Sequence, residues 1–419
     1  MLAAGLARVD EASVAAARLP TLIIGGGIGG LTAALALSRR GRPVHVLEKG
    51  ADFGEIGAGL QLAPNALHVL DRLGVLGEIG RHAVYPSRLV WMDAILGNRI
   101  TAVDLGDAFR RRYGQPYIVM HRGDLLTVLL EACRREALIT LEAQREVVAV
   151  EDFGDAARVR CADGAAYDTE LLIGADGLWS TVRGLIAEDE PICAEYVAYR
   201  GTIPMAQMST HAGLDNVVMW VGPEMHFVQY PVRRGELYNQ VAVFRSRRYR
   251  PDSDAWGTPE ELDAHYAQTC AYVRDCVKLM GRDKRWPMYD RAPIARWTRN
   301  RITLLGDAAH PMLQYVAQGA CQAIEDSLAL ALSIAAAPSD LPRALAAYEE
   351  SRRLRTARVQ ITARAMGAFF HLDGVAATVR NAMMARRAGD DYAMLDWLYG
   401  HRVDGGALGG STSGGTSSQ

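Results

Sequence analysis

A glycine-rich turn between two apolar segments is the feature that most constrains the fold of this 419-residue chain. Residues 21–50 read TLIIGGGIGGLTAALALSRRGRPVHVLEKG. This order of residue types predicts a strand, a tight turn, an alanine-rich helix that ends near Gly41, and a second strand. Gly25, Gly27 and Gly30 form GxGxxG at the turn, and Glu48 closes the second strand. The unit therefore predicts a dinucleotide-binding βαβ fold.

Each position of this motif has a distinct physical task. The first glycine permits the tight turn, the second lets a pyrophosphate approach backbone N–H groups at a helix N-terminus, and the third lets helix and strand pack closely. Glu48 would accept hydrogen bonds from a ribose hydroxyl pair. Glycine-rich helix starts also arise for packing alone, and the motif by itself leaves open whether FAD or NAD is bound.

Two later segments repeat the order of strand, turn and helix, namely residues 166–186 and 301–332. Asp176 and Asp307 come directly after their apolar strands, where a carboxylate is expected to reach cofactor hydroxyls. Taken singly, either aspartate is also explained as a helix N-cap. His310, before a proline in the same turn, is predicted to be structural.

A segment rich in β-branched and aromatic residues separates these two units. Residues 217–248 carry turn signals at GP and RRGE and predict a meander of antiparallel strands. We therefore expect an α/β chain whose Rossmann-like nucleotide domain is interrupted by a mainly antiparallel substrate domain and followed by C-terminal helices. The expected parts are an N-terminal extension (1–19), the FAD-binding domain (20–85, 110–185 and 297–335), the substrate-binding sheet (86–109 and 186–296), the helices (336–403) and a disordered tail (404–419).

Composition narrows the class of partner. A net charge of -2 argues against nucleic acid or an anionic membrane, so a small molecule is expected. Six cysteines without a CxxC pair or a Cys/His cluster predict neither a metal site nor a disulfide framework. Charged residues in the first twenty positions argue against a secretory signal, no segment is expected to span a membrane, and a cytoplasmic location is expected. Four arginines are predicted to form a solvated helix face: Arg352, Arg353, Arg355 and Arg358.

Four motifs in a fixed order identify a family. GxGxxG, HRGDL (121–125), GADGxxSxxR (174–183) and GDAAHP (306–311) together resemble the aromatic-ring hydroxylases, the single-component FAD monooxygenases, over nearly the whole chain. The resemblance implies bound FAD, molecular oxygen as co-substrate, and NADH as a transient reductant, because no second GxGxxG holds a resident nicotinamide nucleotide. It places Asp307 at the flavin ribityl chain, Arg122 at the FAD backbone, and Asp176 near both FAD and the path of the nicotinamide. The remaining expected cofactor contacts are Gln61, Gly319 and Ala320, the last two at the positive end of a helix that faces the reduced flavin.

Within this family, residues 222–244 and 306–320 most closely resemble the 3-hydroxybenzoate 6-monooxygenases, as do HLDG (371–374) and DWLYG (396–400). The resemblance implies that His226 and Gln314 contact the phenol of the substrate and that Tyr230 lines the pocket. Side chains of a strand alternate in direction, so His226, Val228 and Tyr230 are expected on one face. The alternative for His226 is a buried histidine satisfied by a backbone carbonyl.

The chemistry explains why a base is needed. An electrophilic oxygen attacks a phenolate far more readily than a phenol, and attack para to the oxygen converts 3-hydroxybenzoate to gentisate. Salicylate or another phenolic acid remains an alternative substrate, and a flavin-binding redox module without turnover is an alternative function. The residue that binds the substrate carboxylate, the preference for NADH over NADPH and the regiochemistry stay open, and a homodimer is an expectation from the family.

Overall fold

The computed structural model describes residues 18–54, 58–208, 215–253 and 255–404. The predicted N-terminal extension and terminal tail lie almost entirely outside these residues. The strands, in chain order, are β1 Leu22–Ile24, β2 Val44–Leu47, β3 Gly59–Leu62, β4 Arg88–Asp93, β5 Arg99–Asp104, β6 Ile118–His121, β7 Ile139–Glu142, β8 Val147–Asp152, β9 Ala157–Cys161, β10 Ala166–Thr169, β11 Leu172–Gly174, β12 Ile192–Pro204, β13 Val217–Gly222, β14 Met225–Val232, β15 Leu237–Arg245, β16 Trp286–Asp290, β17 Thr298–Arg299 and β18 Ile302–Leu304.

The α-helices follow the same chain order. They are α1 Ile28–Ser38, α2 Pro64–Arg72, α3 Leu76–His82, α4 Asp107–Tyr113, α5 Arg122–Arg134, α6 Pro259–Tyr266, α7 Ala271–Lys278, α8 Gly319–Ala336, α9 Leu341–Phe370, α10 Gly374–Ala385 and α11 Asp396–Tyr399. None of the helices that the structure describes is both long and apolar enough to cross a membrane.

A six-stranded sheet carries the predicted βαβ unit. Its strand order is β17-β18-β11-β1-β2-β7, and every neighbouring pair except β17 with β18 is parallel. Helix α1 is buried along almost its whole length, which fits a parallel sheet covered on its faces. The sequence order of strand, glycine turn, helix and strand is thus confirmed at β1, α1 and β2.

A seven-stranded sheet forms the second layer. Its order is β16-β12-β15-β14-β13-β4-β5, and only the pair of β13 with β4 is parallel. Strands β13, β14 and β15 are the predicted meander, joined by turns at residues 223–224 and 233–236. The expected fold class, a Rossmann-like domain interrupted by a mainly antiparallel sheet, is confirmed.

One predicted element is wrong. No α-helix follows β11, because the chain forms an irregular turn and then a single 3-10 turn at Arg183–Leu185. Gly177 adopts φ +79°, and the carboxylate of Asp176 accepts hydrogen bonds from the backbone N–H groups of Thr181 and Val182, so the chain turns here instead of continuing into an α-helix. Helix α8 does follow β18, but only after two 3-10 turns, Gly306–Ala308 and Gln314–Val316.

The predicted solvated arginine face is wrong for two of its four members. Arg352 is 1% exposed, and its guanidinium contacts Glu325, donates to Asp326 at 2.7 Å and donates to the Gln322 side chain at 2.8 Å. Arg355 pairs with both oxygens of Glu325 at 2.7 Å. Because Glu325 and Asp326 are buried on α8, α9 must present cations inward rather than to water.

We expect Arg352→Met to lower the free energy of unfolding of the holoprotein by about 3–5 kcal/mol, because it leaves two buried carboxylates without their shared cation. Arg343→Met, on the exposed first turn of the same helix, is the matched control and should change stability by less than about 0.5 kcal/mol. Equilibrium urea unfolding measures both. Equal, small losses in the two variants would mean that the buried ion pairs do not hold α8 to α9.

Candidate cofactor and substrate site

A cavity of 1460 Å³ lies between the two large sheets and is also lined by the loop before α8, by α9 and by residues between 394 and 399. All but one of the predicted site residues line this cavity: Gly25, Gly27, Glu48, Gln61, Arg122, Asp176, His226, Tyr230, Asp307, Gln314, Gly319 and Ala320. The exception is Gly30. Positions up to 295 residues apart in the sequence therefore meet in one site.

The glycine turn has the geometry that its motif predicts. Gly25 adopts φ +106°, and a Cβ there would overlap the carbonyl oxygen of Ala175. A Cβ on Gly30 would overlap the carbonyl oxygen of Gly25, which explains why Gly30 serves helix packing and lies outside the cavity lining. Around a Cβ on Gly27, no described atom lies within 4 Å, and Gly27 is the N-cap of α1. The open space at Gly27 is thus a cradle into which a phosphate can approach the helix N-terminus.

Glu48 closes one end of this cradle. Its two carboxylate oxygens accept hydrogen bonds from the backbone N–H groups of Gly26 and Gly50, each at 2.8 Å. The carboxylate is therefore held at the end of β2, beside the glycine turn, with acceptor capacity left for a ribose hydroxyl.

Asp176 has a local structural task as well as a place in the cavity wall. Its carboxylate accepts from Ser180 Oγ at 2.6 Å and from the backbone N–H groups of Thr181 at 2.8 Å and Val182 at 3.3 Å. Burial nevertheless raises the pKa of Asp176. The capping alternative is thus realised, over an irregular turn rather than an α-helix.

Arg183, at the end of the GADGxxSxxR motif, was given no individual role by sequence reasoning. It is 1% exposed, pairs with Asp189 at 2.8 Å, and donates to the carbonyls of Ala308 and Ala309 at 2.9 and 2.8 Å. Arg183 therefore ties the turn after β11 to the turn after β18. Its place in a family motif was the only available signal.

The GDAAHP turn and the start of α8 form the part of the cavity wall next to the start of α1. Gly306 adopts φ +61°, and Asp307 follows it directly at the end of β18. His310 is structural, as predicted, because its Nε2 lies 2.6 Å from buried Asp326. Helix α8 begins at Gly319, so its first N–H groups line the cavity. The dipole of this 18-residue helix favours negative charge there.

The donor set fits FAD. The cavity offers an open glycine cradle at a helix N-terminus, a carboxylate at the end of β2, a second carboxylate beyond β18, and a second helix N-terminus. Arg122, at the start of α5, lines the cavity, as does Gln61, whose Oε1 accepts from Tyr117 Oη at 2.6 Å. Both helix N-termini line the cavity, that of α1 at the glycine turn and that of α8 beyond Asp307.

The seven-stranded sheet forms the floor of the cavity at the end away from the glycine turn. His226, Val228 and Tyr230 of β14 all line the cavity, so the predicted shared face is confirmed. Val228 also belongs to a row that runs across the sheet through Val241, Met219 and Trp91, which line the cavity as well. The loop that carries Gln314, together with apolar residues of α9, covers this floor.

The imidazole of His226 is 2% exposed, and its partner is a second histidine rather than a backbone carbonyl. His226 Nδ1 lies 2.8 Å from Nε2 of His371, the residue directly after α9. Burial, and then the neighbouring His371, lower the pKa of His226 well below its ordinary value. Burial and Arg380 lower the pKa of His371 to about 3. Both rings are therefore neutral at pH 7.

Sequence reasoning assigned no role to His371 and no cation to the substrate end. HLDG had been noted as a family segment, but the contact between His371 and His226 joins positions 145 residues apart. The cavity wall also includes Arg200 of β12, whose guanidinium lies 4.6 Å from the ring centroid of Trp286. Arg200 of β12 lies opposite Val241 of β15. It therefore extends the row of Val241, Val228, Met219 and Trp91 by one strand.

The chain matches the family described as FAD binding domain over residues 18–363. It is 40% identical over 388 residues to 3-hydroxybenzoate 6-hydroxylase of Polaromonas naphthalenivorans (strain CJ2), which covers 92% of this chain and 97% of that protein. It is 38% identical over 385 residues to 3-amino-4-hydroxybenzoate 2-monooxygenase of Streptomyces cremeus, covering 90% and 94%. The crystal structure of Klebsiella pneumoniae HpxO with FAD and uric acid matches with a TM-score of 0.79 at 25% identity, over 91% of this chain and 96% of that one.

We expect Gly27→Val to weaken FAD binding by roughly tenfold or more, because its side chain fills the space that a pyrophosphate needs against the helix N-terminus. The fold should survive, since Gly27 has φ -74° and no described atom lies within 4 Å of a Cβ there. Gly106→Val is the matched control: Gly106 is also the N-cap of a helix, has φ -75° and equally open space, but does not line the cavity. FAD titration of the apoproteins, with thermal melts, measures both. Unchanged FAD affinity in Gly27→Val would place the cofactor elsewhere.

Proposed function

The chain belongs to the FAD binding domain family of flavin-dependent monooxygenases, and from this premise we propose that it hydroxylates 3-hydroxybenzoate to gentisate with NADH and O₂. The observation that carries the proposal is the neutral, buried imidazole of His226 on the cavity floor beneath the loop of Gln314. The identity with 3-hydroxybenzoate 6-hydroxylase over nearly the full length of both chains supports the choice of ring.

Four features of the chain would hold FAD. The glycine cradle at the start of α1 would take the pyrophosphate, Glu48 a ribose, Asp307 the ribityl chain, and the N-terminus of α8 the pyrimidine side of the ring. Reduced by NADH and exposed to O₂, bound flavin supplies an electrophilic oxygen. The protein must then present an electron-rich ring to that oxygen and exclude water.

His226 and Gln314 make the ring electron-rich. A phenol of pKa roughly 10 that is held ionised at pH 7 needs about 4 kcal/mol of differential stabilisation. Because burial keeps His226 neutral, its free nitrogen is available to take the phenol proton at neutral pH. The amide of Gln314 then donates a hydrogen bond to the phenolate, and hydrogen bonds to charged groups contribute about 1.5–3 kcal/mol each.

Arg200 is the cation best placed for the carboxylate of the substrate. Of the other arginines in the cavity wall, Arg122 begins α5, Arg145 lies between β7 and β8, and Arg387 follows α10, so none of them belongs to the seven-stranded sheet. Arg200 lies on the same sheet face as His226 and two strands away from β14, a separation of roughly 10 Å. A meta-hydroxybenzoate held by His226 at its phenol and by Arg200 at its carboxylate would lie along the floor.

We also propose that the chain works as a homodimer in the cytoplasm. Val375, Val379 and Met383 form an apolar stripe on α10 and are 81%, 51% and 61% exposed, which suits a self-complementary contact between two copies. The need for NADH supports the cytoplasm. Light scattering should give twice the 45.6 kDa chain mass, and Val379→Glu should return the single mass. A wild-type mass of 45.6 kDa would refute the dimer.

The function is tested with purified holoenzyme, NADH, O₂ and a panel of phenols, with products identified by chromatography. We expect 3-hydroxybenzoate to accelerate NADH oxidation and to give gentisate. Phenol itself should act only at far higher concentration, because Arg200 then has no carboxylate to pair with. Catechol from salicylate, with no gentisate from 3-hydroxybenzoate, would replace the proposed substrate. If no phenol of the panel is hydroxylated, the chain is a flavin-binding module without turnover.

The variant His226→Ala belongs to the same experiment. We expect kcat for gentisate to fall about 100- to 10,000-fold with FAD still bound, because the general base is lost. His265→Ala is the control, since His265 packs on Phe244 on the far face of the same sheet. An unchanged kcat in His226→Ala would remove His226 from the mechanism.

A further inference from the structure

The contact between His226 and His371 has a chemical consequence for the proton of the substrate. Two neutral imidazoles that face each other through Nδ1 and Nε2 at 2.8 Å share one hydrogen between those nitrogens. If the hydrogen is on His226 Nδ1, then His226 Nε2 has a free lone pair and acts as a base. If it is on His371 Nε2, then His226 carries its own hydrogen on Nε2 and acts as a donor.

His371 is the more exposed of the two histidines, at 7% against 2% for His226. It ends α9 and accepts a hydrogen bond at its carbonyl oxygen from the backbone N–H of Glu224 at 3.2 Å. The Glu224 side chain is 25% exposed and pairs with Arg245 and Arg247 at the surface. His371 thus lies between His226, on the cavity floor, and a charged surface cluster.

Groups from several elements set the electrostatics of His371. Burial and then Arg380 of α10 lower its pKa, and Glu224 raises it. The ring of Tyr196 from β12 stacks on His371 with centroids 4.6 Å apart, and the ring of Tyr315 lies edge-on at 5.4 Å. These contacts fix the ring plane of His371, so its Nε2 stays aimed at His226.

From this geometry we propose that His371 is the positioning residue for His226 and carries the phenol proton away from the substrate end of the cavity. The inference rests on the proposed function. The O–H bond of the phenol breaks and a His226 Nε2–H bond forms; the His226 Nδ1–H bond breaks and a His371 Nε2–H bond forms; the hydrogen on His371 Nδ1 leaves to bulk water. Both histidines are neutral before and after, the phenolate carries the charge, and no electron is transferred.

The same exchange changes the role of His226 at the moment when that change is needed. Before the proton transfer, the free Nε2 of His226 accepts the phenol hydrogen. After it, Nε2–H donates to the phenolate, while His371 Nε2–H donates to His226 Nδ1 and holds that tautomer. The cavity therefore loses a proton without opening to water.

The test uses anaerobic, oxidised holoenzyme mixed with 3-hydroxybenzoate, with phenolate absorbance and a pH-indicator dye followed by stopped flow. In His371→Gln, whose amide keeps a hydrogen bond to His226 but cannot pass a proton, we expect ligand affinity near that of the wild type and proton release roughly tenfold or more slower. In His371→Phe, both affinity and release should fall. His265→Gln is the matched control and should match the wild type.

A second measurement needs no variant. The proton inventory of phenolate formation in the wild type, taken across mixtures of H₂O and D₂O, should be curved because more than one proton moves. A straight line, or a His371→Gln release rate equal to that of the wild type, would overturn the relay. If the wild-type holoenzyme neither binds nor ionises any hydroxybenzoate, the proposed function itself fails, which is a separate result.

Discussion

Two buried carboxylates on α8 hold the site together. Glu325 and Asp326 are fully buried, and burial alone would raise the pKa of each. Arg352 and Arg355 lower the pKa of Glu325, and His310 and Arg352 lower that of Asp326, so both stay ionised. An ionised buried carboxylate tolerates little movement of its partners. The chain from residue 306 to residue 320, which carries Asp307, Gln314 and Gly319, is therefore clamped at both ends.

This clamp is linked to the cavity wall by amides. Asn65 Nδ2 donates to Gln318 Oε1 at 3.0 Å, and Gln322 Nε2 donates to the same oxygen at 2.9 Å and to Glu325 at 3.2 Å. Gln318 lines the cavity beside the first N–H groups of α8. The positive end of α8 is thus positioned by charge pairs that lie outside the cavity lining, which is why the cofactor wall depends on α9 although α9 belongs to no nucleotide-binding motif.

Short-range sequence patterns predicted the elements whose geometry depends on residues close together in the sequence. Gly25 needs a positive φ and Gly30 a missing Cβ, and both requirements are visible in the spacing of three glycines. The meander of β13 to β15 follows from alternation and turn residues. The inward arginines could not be predicted in this way, because the carboxylates that Arg352 meets lie 26 and 27 residues earlier, on a helix whose apolar pattern gave no reason to expect buried charge. His371 and Arg200 were missed for the same reason, since only the packed chain brings them to the cavity.

The low pKa of His226 does not prevent it from acting as a base. What matters is the difference in proton affinity between the imidazole of His226 and the phenol of the substrate, both of which are buried. Burial disfavours an isolated imidazolium and an isolated phenolate alike, so each keeps its neutral form alone. When the proton passes between them, the two charges form side by side, and at ~4 Å with an effective dielectric of ~20 their attraction is about 4 kcal/mol. That attraction offsets a large part of the cost of the transfer, which exceeds the ~4 kcal/mol of ionising the phenol at pH 7 because the pKa of His226 is lowered. Once the proton has left through His371, that attraction is gone. The phenolate is then held by hydrogen bonds from His226 Nε2 and Gln314, worth about 1.5–3 kcal/mol each, so either partner alone leaves the ring under-ionised.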